Sequence, residues 1–345
     1  MYFSANTGNG FHIWRERFPN GVPEQVTSGP TEEEGLSFAP DGRSFVTSIG
    51  LTQSTVWIHD SHGERQISSQ GYSFLPSFSA DGKTLFYLVR SDKSRHLSGV
   101  LWSVDLESGK RERLLPDVFM QHYNVSADGK RVVFIGENEG ERFPVWLATL
   151  DRHSTPRQLT STDAGTTAYF SAKDEVLFVA KDQGTTFLYR IKVDGSGLQK
   201  VLSTPVRYLN DVSPDGKWIS MWGEGSNEET RNPVVIYARD GGSAITICET
   251  CGAAGAPYFP SQLSWSRDQS FLYVQSLDGV YAVPIPPNAG LPPGLAALGF
   301  GFKGIAALAG AHHVAPGLAY PGPKPSVYAF TRVTAQRNVY RIPVP

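Results

Sequence analysis

Six stretches of this chain share one register: LSFAPDGRSFV from Leu36, PSFSADGKTLF from Pro76, YNVSADGKRVV from Tyr123, AYFSAKDEVLF from Ala168, NDVSPDGKWIS from Asn210 and LSWSRDQSFLY from Leu263. Their marker residues, Asp41, Asp81, Asp128, Lys173, Asp215 and Asp268, stand 40, 47, 45, 42 and 53 residues apart. A period of that size is the spacing of four-stranded blades, so the repeat predicts an all-β chain folded as a closed β-propeller of four-stranded antiparallel blades. In the first unit, Leu36 to Ala39 reads as a short inner strand and Pro40-Asp41-Gly42 as the turn that reverses it. Pro presets φ, the Asp carboxylate caps the turn, and Gly accepts a positive φ without steric cost. Ser44 to Ile49 then reads as the second strand, Thr55 to His59 as the third and Glu64 to Ile67 as the outer fourth.

The third-strand rhythm returns in VLWSVD at Val100, VWLATLD at Val145, FLYRIKVDG at Phe187, VVIYARDGG at Val234 and VYAVPIP at Val280. β-branched and aromatic residues fill these segments because they suit a pleated, half-buried surface. Three strands before Gly35, six units of four, and a C-terminal pair from Ser326 and Asn338 sit closest to seven blades, with eight incomplete blades as the alternative. The expected divisions of this one domain are 35–71, 72–118, 119–163, 164–205, 206–257 and 258–316, with 1–34 and 317–345 sharing the closing blade.

The x-S-x-D-G-K turn followed by an aliphatic strand resembles the TolB-type propeller repeat, and it covers nearly the whole chain. The terminal segments SANTGNGFHIW and VYAFTRVTAQRNVYRIPVP further resemble propeller portions of large bacterial proteins that carry a Ser/Thr kinase or a winged-helix domain upstream. That resemblance implies a sensor or protein-interaction region; no kinase signature occurs here, so it implies no kinase activity. Two units depart from the pattern: Lys173-Asp174-Glu175 and Asp268-Gln269-Ser270 have lost the Gly.

With 31 basic against 33 acidic residues, the chain gives no reason to expect nucleic acid. The longest apolar stretch, Gly294 to Ala311, is Gly- and Ala-rich and broken by Lys303, which reads as a loop or short helix packed across one face rather than a membrane span. The opening MYFSANTGNGFHIW shows no secretion signal, so a cytoplasmic place is the default. Because Met1 to Ala5 reads as the second strand of a unit whose first strand is missing, a longer parent in the periplasm or outside the cell is the alternative.

In a propeller the loops entering the inner strands gather on one face, where ligands bind. The residues just before those strands are Glu32, Glu33 and Glu34; Tyr72; Gln121, His122 and Asn124; Thr166 and Thr167; Asn210 and Asp211; Gln262; and His312 with His313. Glu34, His122, Asn210, Asp211 and His313 form a candidate donor set for a divalent metal, with calcium favoured by the oxygen donors. His312 and Glu33 are then the candidate general bases. This mix resembles the donors of calcium-dependent propeller hydrolases of the phosphotriesterase and lactonase kind, while His122, Gln262 and His312 or His313 resemble those of propeller polysaccharide lyases. The plain alternative is a solvated channel, and a module that binds a small molecule or a protein at the axial mouth is the leading functional expectation.

Cys248-Glu-Thr-Cys251 has no second cysteine pair to complete a zinc site, which leaves a local disulfide, two buried thiols or a redox pair. His59-Asp60-Ser61-His62 reads as an exposed turn, the recurring Trp and Tyr as core, and Glu137 to Glu141 and Glu224 to Glu229 as solvated loops. No G-x-S-x-G elbow, H-E-x-x-H pair or phosphate loop is present.

Overall fold

The computed structural model describes residues 1–6, 10–29, 31–69, 71–90, 98–136, 143–151, 155–161, 164–172, 174–224, 232–239, 241–252, 262–296, 298–299 and 302–344. Lys173 and most of the two acidic loops, residues 137–141 and 225–229, lie outside them. The chain is almost entirely β. It opens with β1 (Tyr2–Asn6), β2 (Phe11–Arg15) and β3 (Glu24–Gln25), a three-stranded sheet. Next come β4 (Glu32–Phe38), β5 (Ser44–Asp60) and β6 (Gly63–Gln66). Five antiparallel four-stranded sets follow in chain order. They are β7–β10 (Tyr72–Phe78, Thr84–Arg90, Val100–Asp105, Arg111–Arg113) and β11–β14 (Met120–Val125, Arg131–Gly136, Val145–Thr149, Arg157–Gln158). Then come β15–β18 (Ala164–Ala172, Glu175–Asp182, Thr185–Lys192, Gln199–Lys200) and β19–β22 (Val206–Val212, Trp218–Gly223, Asn232–Ala238, Ile245–Gly252). The last set is β23–β26 (Leu263–Trp265, Phe271–Ser276, Gly279–Pro284, His312–Ala315), and β27 (Tyr320–Pro321) and β28 (Tyr328–Pro343) end the chain.

The repeated turn works as its chemistry requires. Ser79 Oγ donates to Asp81 Oδ1 at 2.6 Å and accepts the Thr84 N–H at 2.9 Å, while Asp81 Oδ1 also accepts the Lys83 N–H at 3.1 Å. Ser126 with Asp128, Ser213 with Asp215 and Ser266 with Asp268 repeat the same three bonds. The following Gly takes a left-handed φ of 71° at Gly82, 69° at Gly129 and 72° at Gly216. Gln269 holds the same conformation at 58°, so the sixth turn keeps its shape after losing its glycine. The geometry survives because the Ser–Asp pair and the flanking strands over-determine it, at the steric cost that a Cβ meets in this region.

One expectation is corrected. Residues 44–49 and 55–59 are not two strands of a hairpin, and neither is the C-terminal pair; each is one long strand, β5 and β28. These two pair antiparallel without interruption from Tyr328↔His59 to Pro343↔Ser44. The reason is local. Gly50-Leu-Thr-Gln-Ser54 and Val333-Thr-Ala-Gln-Arg337 carry no Pro-Asp-Gly or Asn-Gly signal, and their β-branched residues favour extension. The C-terminal segment therefore pairs with β5 rather than with β1–β3. β4 lies along the first half of β5 and β6 along the second. Arg337 links β28 to β4 through Glu34 at 2.9 Å and Glu32 at 3.3 Å. Arg332 lies over the Trp57 ring at 3.9 Å and pairs with Glu64.

Six apolar clusters hold neighbouring sheets together. Phe74, Leu101, Met120 and Phe134 join β7–β10 to β11–β14, and Val133, Ile135, Val176 and Phe178 join that set to β15–β18. Leu177 and Leu188 meet Leu209 and Met221, then Ile236 and Ile247 meet Leu263 and Leu272. Tyr273 and Ala282 pack on Tyr328, and Val56, Ile58 and Ala329 pack on Leu85 and Tyr87. Leu295, Phe302 and Ile305, from the Gly-rich stretch, sit in the cluster shared by β19–β22 and β23–β26 as loop and a 3-10 turn. Cys248 and Cys251 form a disulfide with a Cα separation of 5.6 Å, an ordinary span for such a bond.

Two substitutions test this account by urea denaturation. A Cβ at Gly50 would overlap the Gln336 carbonyl oxygen and the Arg337 Cα, so Gly50→Ala should destabilise by about 1–3 kcal/mol as overpacking does. Gln269→Gly removes a left-handed Cβ and should stabilise by about 0.5–1 kcal/mol.

Candidate axial binding cavity

Six strands, the first of each four-stranded set together with β27, contribute to one cavity of about 150 Å³. Its lining includes Ser77 from β7, His122 from β11, Tyr169 from β15, Tyr208 and Asp211 from β19, Trp265 from β23, and Tyr320 from β27. Tyr123 and Tyr273 complete an unusually aromatic wall, and the exposed Arg267 also borders it.

The backbone around the cavity is irregular where those side chains emerge. Register shifts occur between Phe74 and Ser77, between Met120 and His122, and twice in β19, at Val206/Tyr208 and Leu209/Asp211. Bulges of this kind re-aim side chains and gather beside functional sites. Leu75, immediately before Pro76, has a left-handed φ of 48° and offers its carbonyl to the Tyr123 hydroxyl at 2.8 Å. A leucine there is strained, and local strain is a recurring mark of ligand sites.

Side chains also stitch neighbouring inner strands together. Asn124 Oδ1 accepts the Phe170 N–H at 3.1 Å, Thr167 donates to the Leu209 carbonyl at 2.9 Å, and Asp211 Oδ2 accepts the Trp265 N–H at 3.0 Å. Asn124 and Asp211 occupy the same place in their repeats, four residues before Asp128 and Asp215. The amide and the carboxylate thus perform one structural task in two sheets.

Burial governs the electrostatics. Asp211 is pushed up to about 6 by loss of solvent, against the opposing pull of the Arg267 guanidinium and the Trp265 and Val212 N–H groups. His122 is lowered to about 3 by burial, so its ring is neutral near pH 7; Nε2 lies 3.3 Å from the Tyr169 hydroxyl. Burial likewise raises the phenols of Tyr208 and Tyr320. Among the described residues His122 Nδ1, Trp265 Nε1 and the Tyr273 hydroxyl are buried without a hydrogen-bond partner. Each such group costs roughly 1–3 kcal/mol, so three in one wall call for an explanation.

The candidate residues from the sequence are distributed over several places. His122 and Asp211 line the cavity together. Asn210 is buried beside Asp211 in β19. Glu34 is engaged by Arg337, and Glu33 is buried against β2, accepting from His12 Nδ1 at 2.7 Å and Thr27 Oγ1 at 2.8 Å. His312 and His313 are exposed on β26, the outer strand of its set, with His313 Nε2 3.1 Å from the Asp278 carbonyl. Among the described residues no three His, Cys, Asp or Glu side chains come close enough to share an ion. Of the expected metal donors, His122 and Asp211 are the two that line this cavity. The aromatic lining carries no local signal, because Tyr169, Tyr208 and Trp265 read in sequence like the core aromatics of any strand and only packing brings them together. The position four before each marker does recur in the lining, through Ser77, Asn124, Tyr169, Asp211 and Ser264, though not Ser37.

Burial of Asp211 has a signed consequence for stability. Its folded value, about 6, lies above the ordinary 3.8, so its contribution is complete below about pH 4 and is lost as pH rises through 6. His122 acts oppositely, losing stability as pH falls below 6.5 towards its folded value of about 3. Asp211→Asn leaves the His122 slope alone. The variant should match the parent near pH 4 and exceed it by on the order of 2 kcal/mol at pH 7, measured by urea unfolding across that range. A difference that does not change with pH contradicts the assignment.

No protein-family model matches the sequence, and no curated protein matches it. Among solved structures the chain is similar to the putative TolB from Agrobacterium tumefaciens, at 17% identity and a TM-score of 0.54 over 83% of this chain and 99% of that one. It is also similar to TolB from Acinetobacter baumannii, at 14% identity and a TM-score of 0.51 over 84% of this chain and 77% of that one. At such identities the likeness is one of architecture, and the fold of this chain is that of a TolB-like β-propeller.

Proposed function

We propose that this chain is a ligand-binding propeller module whose site is the axial cavity. The observation that carries this reading is the joint lining of one aromatic cavity by six inner strands, with buried polar atoms in its wall that have no partner. Binding of a polar ligand would supply partners to the acceptors among them, His122 Nδ1 and the Tyr273 oxygen. In this reading the ring has six sheets rather than seven: the five four-stranded sets, and a sixth made of β27, the first half of β28, the second half of β5, and β6. The six apolar clusters, each shared by two sheets, support it. The strands counted towards a seventh blade then form an extension with β1–β3. The cavity has room for a small molecule or for one side chain of a partner protein. No helix among the described residues is long and apolar enough to cross a membrane, and the Cys248–Cys251 disulfide suits an oxidising compartment such as the periplasm or cell exterior.

A second reading, hydrolysis or lyase chemistry, draws on Asp211, which burial raises to about 6 in the cavity that His122 also lines and which so suits proton transfer. It ranks behind binding because the other candidate bases lie away from the cavity.

Ligand-observed NMR with a panel of small polar fragments tests the first reading against Ser264→Phe, which fills the cavity from β23. Fragments should bind the parent and be lost in the variant, with circular dichroism unchanged. Fragments that bind both proteins equally, or none that bind the parent, would sink it.

A further inference from the structure

We propose that the axial cavity receives a cationic amine, with Asp211 as counter-ion and the rings of Tyr169, Tyr208, Trp265 and Tyr320 as walls. This rests on the cavity being a binding site, and the repeat supplies the argument. Asn124 and Asp211 hold equivalent positions and make equivalent hydrogen bonds to the next inner strand, at 3.1 Å to Phe170 N–H and 3.0 Å to Trp265 N–H. A neutral amide is enough for that bond, so the negative charge at 211 is not explained by packing. It is also costly, since a buried carboxylate needs a partner. Among the described residues no ion pair within 4.0 Å involves Asp211; the Arg267 guanidinium offsets its burial only in part and belongs to an exposed residue. An incoming ammonium group would compensate the carboxylate directly.

The walls suit the same charge. Tyr and Trp faces attract cations through the ring quadrupole, more strongly where water is excluded. A volume of about 150 Å³ matches the cavity size known to hold benzene, which limits the bound portion to an ammonium head with a few carbons. An anion would meet the Asp211 carboxylate. The same head group is found on a free alkylamine and on the lysine side chain of a peptide.

Isothermal titration calorimetry at pH 7.5 separates these cases with n-butylammonium, n-butanol, n-butyrate and an acetylated, amidated Gly-Lys-Gly peptide. Butylammonium should bind at least tenfold more tightly than butanol, butyrate should not bind, and Asp211→Asn should abolish the preference for the amine. A peptide tenfold tighter than butylammonium identifies a protein lysine as the source; a weaker peptide identifies a free amine. Equal binding of butanol or butyrate to the parent overturns the amine assignment, a result that does not depend on the variant folding. If butanol binds as tightly as butylammonium and Ser264→Phe removes both, the cavity remains a binding site and the amine assignment alone falls. If none of the four probes binds, the amine assignment falls, and the fragment panel decides separately whether the cavity is a binding site.

Discussion

The unbroken pairing of β5 with β28 is the contact on which the rest of the architecture depends. It joins residues near the two ends of the chain in one antiparallel register, and through Val56, Ile58, Ala329 and Tyr328 it packs against both β7–β10 and β23–β26. Pairing so distant in sequence carries a large loop-closure cost before its contacts form. The return is the burial of two apolar clusters that neither end could build alone. Gly50 marks how closely the strands approach, since no side chain fits between β5 and the backbone of Gln336 and Arg337.

Within the sets, stability and site are built from the same repeat. The Ser–Asp turn uses its side chains on each other and on the backbone, and β11, β15 and β19 each reach the next inner strand through Asn124, Thr167 and Asp211. Strands joined this way have little need of charge beside the cavity. Asp211, strained Leu75 and the unpartnered atoms of His122, Trp265 and Tyr273 run against that economy, and they collect around one cavity. Local violations that are spatially concentrated are the pattern expected of a binding site rather than of a scaffold.

The disulfide and the Gly-rich stretch belong to the scaffold. Cys248, Cys251, Leu295, Phe302 and Ile305 share one apolar cluster, where the stretch covers the junction between two sheets. None of these residues lines the cavity.

The sequence by itself determined the all-β class, the blade-like units and the turn that opens each of them, because those depend on period and on residues within a few positions of one another. It also held His122 and Asp211 among its candidates, through their nearness to the repeated turn motif. Whether 44–60 folds back or runs on was decided by a strand nearly 300 residues away, which competes with the hairpin for the same backbone groups. The tertiary structure likewise left Glu33, Glu34, His312 and His313 out of the cavity lining and brought Tyr169, Tyr208, Trp265 and Tyr320 into it. Proximity between sheets is set by how twisted surfaces pack, and no local pattern of residues records that distance.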